Sequence, residues 1–141
     1  MAEPRKSSTR SPGATRSGTV LVGEDDATTR RLISFKLKRE GFEVIAVENG
    51  ELVLAEVARS SPMLVILDIM MPVKDGYSTL RALKGNPATA AVPVLMLSGK
   101  SGEDVVRCLN AGAADYVVKP FSPDELAVRV RNVIRRDTPK P

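Results

Sequence analysis

The chain of 141 residues contains no histidine and a single cysteine, Cys108. Without an imidazole, histidine-based acid–base catalysis is excluded. One thiol excludes an internal disulfide and any cysteine-clustered metal site. No apolar run approaches the roughly 20 residues that a membrane-spanning helix needs. The N-terminus also lacks the apolar block of a secretory signal, so a cytoplasmic protein with no membrane partner is expected. What is present, 43% hydrophobic and 27% charged residues, describes an ordinary globular chain. Its length suits one domain with a substantial core.

The sequence pI near 9.5 suggests nucleic acid, but the location of the charge argues otherwise. Residues 1–19 carry a net +3 from Arg5, Lys6, Arg10 and Arg16 against Glu3. Residues 135–141 carry +2, which leaves −1 on everything between. The body is near neutral and the basicity lies at the two ends. A tail of Ser, Thr, Pro, Gly and basic residues over 1–18 reads as solvated disorder. Residues 137–141 read as a second tail or linker. Direct nucleic-acid binding by this chain alone is not expected.

The middle of the chain carries the clearest signal. Met63 to Leu67 is an unbroken apolar run that ends on a carboxylate, Asp68, and Pro72 with Asp75-Gly76 then forces a loop. Such a run fits a strand buried on both faces. Similar short runs recur at Val20–Val22, Glu43–Val47, Val94–Leu97 and Asp115–Val118. Helical patterns follow each: Ala27 to Gly41, with Leu32, Ile33 and Leu37 inward; Glu51 to Arg59 behind Asn49-Gly50; and Tyr77 to Lys84, with Leu80 and Leu83 inward. A short helix, Glu103 to Asn110, would bury Val106 and Leu109 ahead of Gly112. The last helix opens on Ser122-Pro123-Asp124-Glu125, a cap, a first-turn proline and an acid three after the cap. Its buried stripe is Leu126, Val130, Val133 and Ile134. Five strands alternating with five helices predict a three-layer, doubly wound α/β fold with a parallel sheet in the order 2-1-3-4-5.

In such a sheet every strand delivers its carboxyl end to one edge. Strand one brings Glu24 and Asp25 there, strand three Asp68, strand four Ser98 and strand five Lys119. Three carboxylates on one edge repel unless a cation neutralises them. Oxygen ligands without histidine or cysteine point to Mg²⁺.

The segments Val-Leu-Val-Gly-Glu-Asp-Asp, Leu-Asp-Ile-Met-Met-Pro-Val-Lys-Asp-Gly, Val-Pro-Val-Leu-Met-Leu-Ser-Gly and Ala-Gly-Ala-Ala-Asp-Tyr-Val-Val-Lys-Pro-Phe together make residues 20–136 resemble the receiver domain of two-component response regulators. The domain would span 19–136. The resemblance implies a signalling switch rather than an enzyme, with Asp68 accepting a phosphoryl group from a sensor histidine kinase or histidine phosphotransfer protein. It implies that Asp25 ligates Mg²⁺ directly and Glu24 through water, and that Met70 lends its backbone carbonyl. Ser98 and Lys119 would hold the phosphoryl oxygens, and Tyr116 would be the aromatic switch residue. Gly99 would leave room for the phosphoryl group, and the Lys119-Pro120 bond would be cis. Met70 and Lys100 stand where the family tunes hydrolysis, and a long-lived phosphoryl group is expected. Readout would run through the fourth helix, fifth strand and fifth helix to a downstream output protein or domain. Asp115 and Arg129 resemble an intermolecular ion pair of dimerising receivers, so a weak phosphorylation-dependent homodimer is expected. Val105 and Ala114 replace other charges of that class. Gly23 stands where an aliphatic residue usually ends the first strand, which predicts looser packing there. The interval from Ser98 to Lys119 is one residue shorter than usual.

Two other readings compete. A haloacid-dehalogenase-like phosphatase also uses an aspartate with Mg²⁺, but needs a second aspartate two places on, where this chain has Met70. The C-terminal stretch also resembles receivers that precede a winged-helix DNA-binding domain. The residues after Ile134 cannot form one, so the chain is either a stand-alone regulator or the receiver of a larger protein.

Overall fold

A computed structural model describes residues 18–99 and 102–137. Nearly all of the expected N-terminal tail, residues 138–141 of the C-terminal one, and Lys100 lie outside the described residues. The elements alternate throughout: β1 (Thr19–Gly23), α1 (Ala27–Arg39), β2 (Glu43–Val47), α2 (Gly50–Ser60), β3 (Leu64–Asp68), α3 (Gly76–Lys84), β4 (Val94–Ser98), α4 (Glu103–Asn110), β5 (Asp115–Val118) and α5 (Pro123–Asp137). The five strands form one parallel sheet in the order β2-β1-β3-β4-β5. This is the predicted doubly wound, flavodoxin-like arrangement.

The unbroken apolar runs are explained by the two faces of the sheet. Side chains alternate sides along a strand, and here both sides are covered. Val20, Val22, Leu64, Ile66, Leu95 and Leu97 pack with Ile33 and Leu37 of α1 and with Leu126, Val130 and Val133 of α5. Leu21, Val65, Leu67, Val94 and Met96 pack on the other side with Val53 and Val57 of α2, Leu80 and Leu83 of α3, and Cys108 of α4. Register runs straight across the central pair, with Val22 opposite Ile66 and Gly23 opposite Leu67. β2, at one border, keeps Glu43 and Ala46 exposed, which suits an edge strand.

The helix boundaries follow their caps. Asp26 accepts from Thr29 N (2.8 Å) to start α1, Asn49 from Leu52 N (2.9 Å) to start α2, and Asp75 from Ser78 N (2.7 Å) to start α3. Ser122 Oγ accepts from Glu125 N at 3.0 Å at the head of α5. Gly41 and Gly112, with φ of +99° and +110°, close α1 and α4. Behind each, the next amide reaches back to the helix, Phe42 N to Leu37 O and Ala113 N to Cys108 O.

Three expectations are corrected. In α4, Val106 and Leu109 are 54% and 40% exposed, while Val105 and Cys108 are buried. Two apolar stripes of equal spacing, 105–108 and 106–109, compete on this short helix. The first wins because it continues into Ala111, which packs on the same core cluster. In α1, Leu32 is exposed rather than inward. It lines a groove of about 450 Å³ with Thr29, Lys119, Pro120 and Phe121. Gly23 does not loosen its surroundings. A Cβ there would sit 2.7 Å from Val53 Cγ2 and 3.2 Å from Leu67 Cδ2, so neighbouring side chains have closed in on the missing one.

Candidate phosphoacceptor site

All five strand ends lie on one edge of the sheet, and four of them bring the predicted side chains there. Asp68 ends β3 and is only 3% exposed. Its Oδ2 accepts from Lys119 Nζ at 2.8 Å, and its Oδ1 from Met70 N at 3.2 Å. Glu24, just beyond β1, is fully buried. Its Oε2 accepts from Asp26 N at 3.0 Å. Its Oε1 lies 3.0 Å from Lys119 Nζ but outside hydrogen-bond geometry, and has no other partner. Carboxylate oxygens of Glu24, Asp25 and Asp68 all lie within 4.8 Å of one another.

The electrostatics follow from that crowding. Burial pushes the Glu24 carboxyl up to about 7, against the pull of the Asp26 amide and Lys119, and the nearby Asp68 charge adds to the rise. Burial lowers the Lys119 ammonium, but its hydrogen bond to Asp68 and its ion pair with Glu24 outweigh this and leave it above an ordinary lysine. One ammonium faces three carboxylates. The orphaned, buried Glu24 oxygen and an all-oxygen donor set fit a hard divalent cation that keeps several waters, as Mg²⁺ does.

The acid pair is held by its own helix. Asp26 caps α1, and Arg30, in the first turns of that helix, turns back so that Nη1 donates to the carbonyls of Glu24 (2.8 Å) and Asp25 (3.2 Å). No sequence motif had marked Arg30. On the far side, the loop after Asp68 is clamped by close backbone approach. Gly76 N donates to Ile69 O at 2.8 Å, and a Cβ on Gly76 would sit 2.2 Å from Asp68 O. Within this loop Lys74 N donates to Pro72 O at 2.7 Å across Val73, whose φ is +68°. This is a γ-turn of the rarer hand.

The remaining predicted residues fall as follows. Ser98 ends β4, is buried, and its carbonyl accepts from Lys119 N at 2.7 Å. A Cβ at Gly99 would meet nothing within 4 Å, so this side of the site is open. The Lys119-Pro120 peptide is cis. The Met70 side chain is 74% exposed. Tyr116 is half-buried against the α3 and α4 side of the core. Asp115 pairs within the chain, with Arg129 Nη1 at 3.3 Å and Arg136 Nη2 at 3.8 Å. Val105 is buried, which removes it from any exposed ion-pair surface.

A parallel 2-1-3-4-5 sheet with an acid cluster and a lysine at its carboxyl edge defines the class: a receiver-like α/β domain. The family model described as "Response regulator receiver domain" matches residues 20–131. The chain belongs to this family. It is 44% identical over 119 residues to "Probable transcriptional regulator ycf27" of Pyropia yezoensis, covering 83% of this chain and 47% of that protein. To the phosphate regulon transcriptional regulatory protein PhoB of Pseudomonas aeruginosa it is 38% identical over 122 residues, covering 86% and 53%. The crystal structure of a putative response regulator from Chloroflexus aurantiacus superposes with a TM-score of 0.80 at 34% identity, covering 84% of this chain and 98% of that one. The chain spans about half the length of the curated relatives it matches. Those relatives are named as transcriptional regulators. Among the described residues, no helix is long and apolar enough to cross a membrane.

Proposed function

We propose that this chain is a phosphorylation-activated signalling switch in the cytoplasm, with residues 19–136 as its receiver unit and Asp68 as its phosphoacceptor. The observation that carries the reading is the buried Asp68 carboxylate, bonded to Lys119 and crowded by Glu24 and Asp25 at the open edge of the sheet. In the transfer step, an Asp68 oxygen forms a bond to the phosphorus of a phosphohistidine on a kinase or phosphotransfer protein. The P–N bond breaks and its electron pair stays with the imidazole. Glu24, Asp25, Asp68 and the Met70 carbonyl would hold Mg²⁺, which when bound supplies positive charge for the equatorial phosphoryl oxygens. Lys119 adds an ammonium and Ser98 a hydroxyl donor. Transfer of this kind needs positioning and neutralisation more than covalent help, and these residues provide both.

Readout is proposed on the α4–β5–α5 face. A phosphoryl oxygen accepting from Ser98 draws that side chain inward, and Tyr116 on the neighbouring strand follows, a two-state element biased by a local charge. A partner, or a second copy of the chain, then meets the altered face. Self-association through Asp115 and Arg129 would exchange their present intramolecular pairing for an intermolecular one, which keeps any dimer weak. Met70 cannot orient an attacking water, so hydrolysis of the aspartyl phosphate should be slow.

A second reading, the receiver portion of a DNA-binding regulator, is favoured by the half-length coverage of relatives named as transcriptional regulators. The reading frame beyond residue 141 decides between them. For the switch itself, incubation with acetyl phosphate and Mg²⁺ should raise the intact mass by one phosphoryl group, and Asp68→Asn should abolish the gain. An unchanged gain in the Asn variant refutes the assignment.

A further inference from the structure

We infer that Arg30 is a positioning residue for the cation site, holding the Glu24–Asp25 segment in the shape that turns its carboxylates toward Asp68. This rests on the reading of that cluster as a Mg²⁺ site. Two adjacent acids at the end of a strand, beside a third, gain by splaying apart into solvent. Something must hold their backbone still. Three connections do so in this structure. Glu24 N donates to Val47 O at 3.0 Å, Asp26 N donates to Glu24 Oε2 at 3.0 Å, and Arg30 Nη1 bridges the carbonyls of both acids. Among the described residues, only the last ties the backbone of both acids from a side chain outside the loop.

The sequence arranges this through helix geometry. Asp26 caps α1 directly after the acid pair, through Thr29 N and Thr29 Oγ1 at 2.8 and 2.7 Å. Arg30 N then donates to Asp26 O at 2.9 Å, which places residue 30 one turn inside the helix. Long helical side chains lean toward the N-terminus and cover the turn before their own Cα. From this position the guanidinium lies over the Glu24–Asp25 peptide, and it is half-buried there. Its neighbour Arg31 is exposed and makes no such contact.

The sign of the effect separates positioning from plain charge. As a nearby positive charge, Arg30 would oppose a bound cation, and removing it would tighten Mg²⁺ binding. As a clamp on the backbone that carries two ligands, its removal weakens binding. Partners that orient ligands without touching the metal typically contribute 10–100-fold to affinity, and a loss of about 10-fold is expected here.

The test is Mg²⁺ titration by calorimetry of the full chain at pH 8, for wild type, Arg30→Ala and Arg30→Lys, with the thermal midpoint of each metal-free protein as a check on folding. Arg30→Ala should bind Mg²⁺ about 10-fold more weakly while unfolding cooperatively. Arg30→Lys keeps the charge but is one atom short of both carbonyls, and should remain weakened. Unchanged or tighter binding by Arg30→Ala overturns the inference, and so does full restoration by Arg30→Lys. Absence of Mg²⁺ binding in wild type would overturn the reading of the cluster itself and the inference with it. Binding in wild type that Arg30→Ala retains in full overturns the inference alone.

Discussion

At the carboxyl edge of the sheet three carboxylates crowd around one ammonium, whereas on the α4–β5–α5 face a single carboxylate, Asp115, is met by two guanidiniums. At the edge Glu24 and Asp68 are buried, Asp25 is exposed, and the cluster carries excess negative charge. The face is half exposed, and Asp115 there is already paired. The difference separates two jobs. On the proposed function, the edge takes up a cation whose arrival relieves the repulsion among its carboxylates and offsets the charge of an incoming phosphoryl group. The face, proposed only to report, can keep its charges paired and its apolar residues, Val106 and Leu109, in solvent. Sensitivity to mutation should divide the same way.

The largest expected effect tests whether the edge is as rigid as its contacts imply. Gly76→Ala drives a Cβ to 2.2 Å from Asp68 O and 2.8 Å from Ile69 Cα. Backbone cannot yield as a side-chain tip can, so a loss of about 3 kcal/mol is expected. Gly99→Ala, at the open side of the same edge, should stay within about 0.5 kcal/mol. Urea unfolding of both variants measures the gap, and equal losses would mean the edge is not divided into a clamped and an open side.

Next comes pH. The Glu24 carboxyl, near 7 in the folded chain, lies above its ordinary value of 4.5 because burial disfavours its charge. Its contribution to stability is therefore full below about pH 4.5 and is lost as pH rises through about 7, on the order of 3 kcal/mol in the metal-free protein. Mg²⁺ competes with that proton, so its affinity should rise from pH 6 to pH 8. Thermal melts with and without Mg²⁺ across this range should diverge with rising pH. Parallel curves would show that Glu24 does not exchange its proton for Mg²⁺ in this range.

The smallest effects should fall on the face. Val105→Ala, in the buried stripe of α4, should cost about 1 kcal/mol. Val106→Ser, one residue on, should stay within about 0.5 kcal/mol. The reverse order would place the other stripe inward and return α4 to the phase that its sequence suggested.

The fold was legible because both faces of the sheet are apolar and because Asn49-Gly50 and Ser122-Pro123 announce their helices. Most of the edge was legible for a related reason. A strand end is marked in sequence by the change from apolar run to polar residue, and the parallel topology then brings those ends together. The phase of α4 was not legible, since eight residues with two equal stripes hold no internal arbiter. Leu32 misled because an apolar residue on an amphipathic helix can line an open groove as well as a core. The tight packing around Gly23 depends on where Val53 and Leu67 arrive from other elements. Arg30 belongs to no motif of the sequence. Its signal was position, one turn inside a helix capped directly after two acids, where a long side chain leans back over them.

Site mapping of the phosphoryl group tests the role of the edge most directly. Protein treated with acetyl phosphate and Mg²⁺ is reduced with borohydride, which converts an aspartyl phosphate to homoserine, and its peptides are sequenced by mass spectrometry. Homoserine should be found at position 68 and nowhere else, and should vanish when Mg²⁺ is chelated beforehand. Homoserine at position 25, or at no position, would contradict the assignment of Asp68 as the acceptor.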